Sequence, residues 1–374
     1  MDTRIDFLYL SEQDTLRAGA GDLAACVDVS EEVFSLLDLG DYRMSGPFNT
    51  SHGAGVYFPK ESPFPNMPLD GPDRRFVAMP AYLGGRFEMA GCKWYGSNIE
   101  NASSGLPRSI LMLLLNDKDT GAPVCLLSAN ILSAARTGAN AAVAARHLAK
   151  APTVLTVLGC GQISKICFKS IMTQCPSIRK AYFFDLFQEP AERLAELART
   201  QYGLEAIATT DQQYAMKEAD LITSAASRLA PLEIKGDWIK KGALVLLNSP
   251  SRGDDAFWLN SRVVLDHPGL HQTYMEEAQA AGSPEEILKA YFATIGGNLY
   301  RLVDEGALPP LDQFTTLGQI INGKALADAE GRTTVFISGG MGIFDVAWGT
   351  QIYRNACAAG IGTSLNLWES PAEL

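Results

Sequence analysis

Thr153-Val-Leu-Thr-Val-Leu-Gly159-Cys-Gly161-Gln-Ile-Ser164 reads as a short buried strand that turns on two glycines into a helix. A second apolar run, Ala181-Tyr-Phe-Phe184, ends at Asp185. Strand, glycine turn, helix, strand and acid is the order in which a dinucleotide-binding unit supplies its parts. Glycines let backbone N–H groups approach a pyrophosphate at a helix N-terminus, where the helix dipole favours negative charge. A carboxylate at the tip of the next strand accepts hydrogen bonds from both ribose hydroxyls. Ser164 stands where a third glycine is usual, and it is small but not equivalent for close helix–strand packing. A Gly-x-Gly turn alone is also an ordinary tight turn; Asp185 in its place favours the dinucleotide reading.

Working outward, strands are predicted at 153–158, 181–185, 205–208, 220–224, 243–248 and 262–266, with helices between them. That alternation predicts an α/β fold with a mostly parallel, doubly wound sheet of Rossmann type. Ala219 to Ala226 ends its strand in small and hydroxyl residues, which suits the floor of a cofactor cleft. Before this region, Ser128 to Lys150 is rich in alanine and helical by propensity, with Arg136 and Asn140 on one face. Earlier still, strands are expected at Phe7–Leu10, Gly55–Phe58, Arg75–Met79 and Ile110–Leu115. A hairpin turn at Asn116–Gly121 leads to a returning strand at Pro123–Leu127. From about Thr315 the alternation stops: a helix over Leu317 to Asp328, a strand over Thr333–Ile337, the glycines Gly339–Gly342, a helix over Asp345 to Ala359 and a last strand. This tail is expected to complete the first domain.

Composition narrows the partners. A formal charge of −11 without any basic block argues against nucleic acid. The longest clean apolar run, Ile110–Leu115, is far short of a membrane span. The start lacks the basic and apolar regions of a signal peptide, and the seven cysteines form no Cys-x-x-Cys pair; both predict a cytoplasmic protein with reduced thiols. His267 and His271 are separated by Pro268 and Gly269, which predicts a turn and no metal site.

Four cations lie in low-charge surroundings: Arg43, Lys93, Arg108 and Arg136. A small-molecule carboxylate needs this kind of clamp, although most Arg and Lys residues are simply solvated. Arg136 lies mid-helix among alanines, and Lys93 is flanked by Gly91, Trp94 and Tyr95, so these two stand out. A lysine so placed has a lowered pKa and is a candidate proton donor. Asp345, bracketed by Phe344 and Val346 after the glycine turn, is either a helix N-terminal acid held by the dipole or a catalytic carboxylate.

Taken together, these pieces resemble the ornithine cyclodeaminase/μ-crystallin superfamily over nearly the whole chain. The matching segments are Lys93 in its loop, Gly105-Leu, Asp117 to Pro123, Ser133-Ala-Ala-Arg136-Thr137, Leu158-Gly-Cys-Gly161 with Asp185, and Thr334 to Asp345. Lys93-Trp-Tyr-Gly-Ser-Asn98 and Gly105-Leu-Pro-Arg-Ser-Ile110 look like the tyramine oxidase subunit-like subgroup of that superfamily. Gly159-Cys-Gly161 is similar to the turn of members that split or form opine-like amino acids. The resemblance implies a homodimer, with residues 1–130 and 320–374 as substrate-binding and dimerisation domain and 131–319 as an inserted NAD-binding Rossmann domain. It implies that Arg43, Lys93 and Arg136 hold a substrate carboxylate or cofactor phosphates, and that Arg136, Thr137, Gln162, Ile163 and Asp185 contact the dinucleotide. Gly159, Gly161, Ala226, Asn248, Ser249, Ser338 and Gly339 complete the cofactor set. Leu186 and Phe187 stand where an NADP-binding member offers Arg, which favours NAD.

Two departures bear on the substrate. Tyr57 stands where cyclodeaminases have a glutamate for a distal amine, and Asn248-Ser-Pro-Ser251 stands where they have Gly-Gly-Asp; Asp254 or Asp255 replaces that acid only if the alignment slips. The expected activity is an NAD-dependent oxidoreductase acting on the Cα–N bond of an amino acid or imine, with Lys93 and Asp345 as catalytic groups. A cyclodeaminase that recycles its NAD, and a non-catalytic accessory protein, remain the alternatives.

Overall fold

Strands buried on both faces need helices on both sides, and three runs meet that condition at every residue: Leu221–Ser224, Leu244–Leu247 and Thr334–Ile337. The computed structural model describes residues 3–46, 49–50, 52–226, 231–327 and 331–372. The chain folds into two compact units: Leu23–Leu39 with Thr137–Gly340, and Met1–Asp22, Gly40–Arg136 and Met341–Leu374.

The larger unit is the doubly wound sheet. Its strands run in the order Glu205–Thr209, Lys180–Phe184, Val154–Leu158, Leu221–Ser224, Leu244–Leu247, Thr334–Ile337, Arg262–Leu265 and Thr315–Thr316. Every pairing is parallel. From Val154–Leu158 the chain steps outward twice, then returns to the other side at Leu221–Ser224. That reversal opens a crevice at the carboxyl ends of these two central strands, the usual ligand position in such sheets.

Two segments differ from the expected domain boundaries. Thr334–Ile337 does not leave with the tail; it slots between Leu244–Leu247 and Arg262–Leu265, where Val335, Phe336 and Ile337 are fully buried. The helix Leu23–Leu39 also belongs to this unit: Phe34 meets Phe336 edge-on with ring centres 6.1 Å apart. Its outer turns are fixed by Arg146 on Asp28 at 2.6 Å and by His147 on Glu31 at 2.7 Å. The helix expected over Leu317 to Asp328 is short, Leu317–Ile321, and Asp328 lies outside the described residues.

The smaller unit is built on a mixed sheet ordered Thr363–Trp368, Ile5–Leu10, Pro123–Ser128, Ser109–Asp117, Met89–Ser97, Arg75–Leu83 and Tyr42–Met44, with Ala54–Tyr57 also on Arg75–Leu83. The predicted hairpin forms because the Asp117 carboxylate accepts from the Thr120 backbone at 2.8 Å and Gly121 takes φ +75°. One face is covered by the helix Gly342–Ala359. Glycines make the contact possible: a Cβ on Gly342 would lie 2.7 Å from the Met79 carbonyl, and one on Gly349 would overlap a Leu113 methyl. On the opposite face Phe76, Trp94, Ile110 and Met112 are exposed.

Candidate active site

In the larger unit the glycine turn sits at the crevice. Gly159 has φ +82°, and a Cβ there would lie 2.6 Å from the Ala226 Cβ, so both freedom and space require glycine. Gly161 caps the helix Gln162–Gln174 without any side-chain bond, and a Cβ on it would meet nothing within 4 Å. The first turn of that helix, Gln162 and Ile163, therefore presents backbone donors to open space. Asp185 accepts from the Cys160 N–H at 2.8 Å and the Phe187 N–H at 3.2 Å, tying the acid to the turn. Burial and the Asp185 charge push the Cys160 thiol up to about 12, so it is inert. Ser164 is fully buried; the closest helix approach comes from Gly138 instead, where a Cβ would lie 2.7 Å from Ser170 Oγ.

The neighbouring strand ends carry the rest of the predicted cofactor set. The Asn248 N–H donates to the Ser224 carbonyl at 2.9 Å, and the Ser338 N–H to the Leu247 carbonyl at 3.0 Å. Ser224 and Ser249 share a hydroxyl–hydroxyl bond of 2.9 Å, and the Gly339 N–H donates to Asp266 at 2.6 Å. Among the described residues the buried Asn248 amide nitrogen has no acceptor, which leaves a donor ready for a ligand. Thr137 lies on the helix Asn130–Leu148, one residue past Arg136.

In the smaller unit, alternation along Met89–Ser97 sends Met89, Gly91, Lys93, Tyr95 and Ser97 to the face under Gly342–Ala359, and Trp94 to the other. Lys93 Nζ meets Asp345 Oδ2 at 2.8 Å, and Arg136 Nε meets Asp345 Oδ1 at 3.3 Å. Lys93 is 3%, Arg136 6% and Asp345 0% exposed. Two cations on one carboxylate leave a net positive charge out of water, an arrangement that favours an incoming anion. Burial pulls the Lys93 ammonium down to about 8; Asp345 opposes that fall and Arg136 adds to it. Burial acts to raise the Asp345 carboxyl, but Arg136 first and Lys93 second hold it below its ordinary value. Ser133 orients the cluster: its hydroxyl accepts from Arg136 Nη2 at 3.2 Å and bonds Asp345.

Other predicted residues lie elsewhere. Arg43 pairs with Tyr82 across the sheet, which places it on the face opposite Lys93; its guanidinium donates to the Tyr42 carbonyl at 2.5 Å and the Gly40 carbonyl at 3.3 Å. The structure therefore removes Arg43 from the clamp. Arg108 is paired with Asp73 at 2.6 Å and is absent from the Lys93 cluster. Tyr57 shares Lys93's face but pairs with Arg75, further along the strands, and is 67% exposed. Sequence reading missed Tyr95, Arg75 and Asp73, although the period-two spacing from Lys93 points to Tyr95.

The histidine turn is also corrected. Proline is tolerated at a helix's first position, so a helix runs over Pro268–Gln279; His267 caps it, and His271 is buried against Asp266 at 3.0 Å and Tyr300 at 2.7 Å. Among the described residues no group of three or more His, Cys, Asp or Glu is disposed to hold a metal ion, and no helix is long and apolar enough to cross a membrane.

A switch-point crevice with a glycine turn and a tethered acid, together with a buried carboxylate–cation cluster, defines a Rossmann-type α/β protein with a site for a small anion. The chain belongs to the ornithine cyclodeaminase/mu-crystallin family, which residues 20–360 match. It is similar to N-((2S)-2-amino-2-carboxyethyl)-L-glutamate dehydrogenase of Staphylococcus aureus, with 26% identity over 97% of this chain and 99% of that protein. It is also similar to Delta(1)-pyrroline-2-carboxylate reductase of Bacillus cereus, with 27% identity over 79% of this chain and 86% of that one. An archaeal alanine dehydrogenase dimer with bound NAD shares the fold, with a TM-score of 0.74 and 22% identity over 97% of this chain and all of that one.

Proposed function

We propose that this protein is an NAD-dependent oxidoreductase acting at the Cα–N bond of an amino acid or the corresponding imine. The observation that carries the reading is the buried Lys93–Asp345–Arg136 cluster, whose surplus positive charge suits one α-carboxylate. The two relatives named above, a dehydrogenase of an amino acid and a reductase of a cyclic imino acid, support the same chemistry.

The residues at the crevice fit a dinucleotide. The open donors of Gln162 and Ile163 suit its phosphates, Asp185 a ribose, and the unpartnered Asn248 amide a carbonyl acceptor; Gly159, Gly161, Ala226, Ser249, Ser338 and Gly339 leave room beside them. When bound, NAD supplies a two-electron hydride couple. Arg136 holds the substrate carboxylate, and Asp345 keeps both cations in place. Lys93, with its pKa near 8, gives a proton to the nitrogen in one direction and takes it back in the other.

Cyclodeamination is less well supported. Asp254, which would have to replace the missing acid, caps a helix by accepting from the Phe257 N–H at 2.7 Å. Asp255 is engaged with Arg301 and Asn298, each at 2.5 Å. The exposed apolar face at Phe76, Trp94, Ile110 and Met112 suits a second copy of the chain, hence a homodimer. Placement among the tyramine oxidase subunit-like members rests on the Lys93–Asn98 and Gly105–Ile110 segments, and a cytoplasmic location on the seven free thiols.

The test is a panel of amino acids, 2-oxo acids with ammonia, and cyclic ketimines, followed by NADH absorbance. NADH change stoichiometric with product is expected. Ammonia release without net NADH change would support the lyase, and no NADH binding at all would reject both readings.

A further inference from the structure

The Lys93 cluster is not the only positive centre on its face of the sheet. Cross-strand pairing sets Lys93 opposite Met79, Tyr95 opposite Val77 and Ser97 opposite Arg75, so Arg75 points to the same side two steps further along. There Asp73 takes Arg75 at 2.8 Å, Arg108 at 2.6 Å and the Ser97 hydroxyl. Two guanidiniums on one carboxylate again leave one surplus positive charge. Asp73 is mostly buried, whereas Arg75 and Arg108 are 36% and 42% exposed and so free to accept another partner. Between the two centres stands Tyr95. Lys93 Nζ lies 5.6 Å from its ring centre, and its hydroxyl is hydrogen-bonded to Arg75.

We infer that Arg75, with Tyr95 beside it, reads a second carboxylate on the substrate, so that the preferred substrates are amino or imino acids with an acidic side chain. This rests on the reading of Lys93 and Arg136 as the α-carboxylate site. The spacing supports it: the ring-centre distance, the reach to the hydroxyl and one hydrogen bond put Arg75 at most about 11 Å from Lys93 Nζ. With a hydrogen bond taken off each end, about 5 Å remains between the two carboxylates. A dicarboxylic amino acid of about five or six carbons spans that gap, whereas a diamine would place a cation beside surplus positive charge. Arginine is the side chain suited to this task, because its planar donors match a carboxylate.

Calorimetric titration of the full-length protein, with and without NAD, tests this with two matched pairs: L-glutamate against L-glutamine, and L-2-aminoadipate against L-norleucine. The acidic member of each pair is expected to bind at least about tenfold tighter, the scale of one charge-assisted hydrogen bond. Arg75→Gln should bring that ratio close to unity, and Arg75→Lys, which keeps the charge, should retain part of it. Equal affinities within each pair, no binding of any of the four, or an Arg75→Gln variant that weakens both members by the same factor would overturn the inference. Turnover of neutral amino acids without acidic selectivity would overturn it and leave the oxidoreductase reading standing. Acidic selectivity in binding without turnover would support it and reject that reading.

Discussion

A lysine that is held charged in a dry place for chemistry should cost the fold stability. Lys93 is that residue, and Lys93→Met tests it with a side chain of similar length and no charge. Burial lowers its pKa from 10.5 to about 8, so at pH 7 it is still protonated and the folded state pays for that charge. At about 1.4 kcal/mol per pH unit the penalty is ~3 kcal/mol, an upper bound because the surroundings relax. The sign follows from the folded value lying below the unfolded one: the penalty is whole below about pH 8, shrinks as pH rises, and is gone above 10.5. Methionine also leaves Asp345 balanced one-to-one by Arg136. Lys93→Met is therefore predicted to melt about 3–8 °C higher than the parent at pH 7, on the scale expected for a unit of this size. The difference should fall to a small fraction of that at pH 10, and turnover should drop by at least about a hundredfold. The assay is a pair of calorimetric melts at each pH. A variant that melts no higher than the parent at pH 7, or a difference that is the same at both pH values, would refute the reasoning.

Two other substitutions separate the parts of the site. Arg136→Ala removes the guanidinium proposed to hold the carboxylate and should raise KM for a carboxylate substrate at least about tenfold; an unchanged KM would take Arg136 out of binding. Asp185→Ala should weaken NAD more than NADP in fluorescence titrations, because it removes the ribose acceptor and the anchor on the Cys160 N–H. The opposite order would reject the assignment of NAD.

How far the sequence carried depends on how local each feature is. The glycine turn, its helix and Asp185 lie within one strand–helix–strand unit, and all were legible. Lys93 and Arg136 stood out because a cation among Gly, Ala and aromatic residues needs a buried partner, and Asp345 provides it. Thr334–Ile337 was assigned to the wrong unit because its flanking strands are far away in sequence, and nothing in its four residues names them. Arg43 failed on parity: in a strand, neighbours face opposite ways, and only the register with Tyr82 shows which way Arg43 points. Arg108 was misplaced because its partner, Asp73, lies in another loop, and Arg75 went unnoticed because nothing in its local sequence marks it as paired.

The central claim is that electrons move at Cα. NADH deuterated at C4 supplies the most direct measurement, in a turnover with an imino acid or with a 2-oxo acid and ammonia, the product being read by mass spectrometry and proton NMR. One deuterium at Cα of the product amino acid, with an equivalent of NAD formed, is the predicted result. A product formed without deuterium while the NADH remains unchanged would contradict the account.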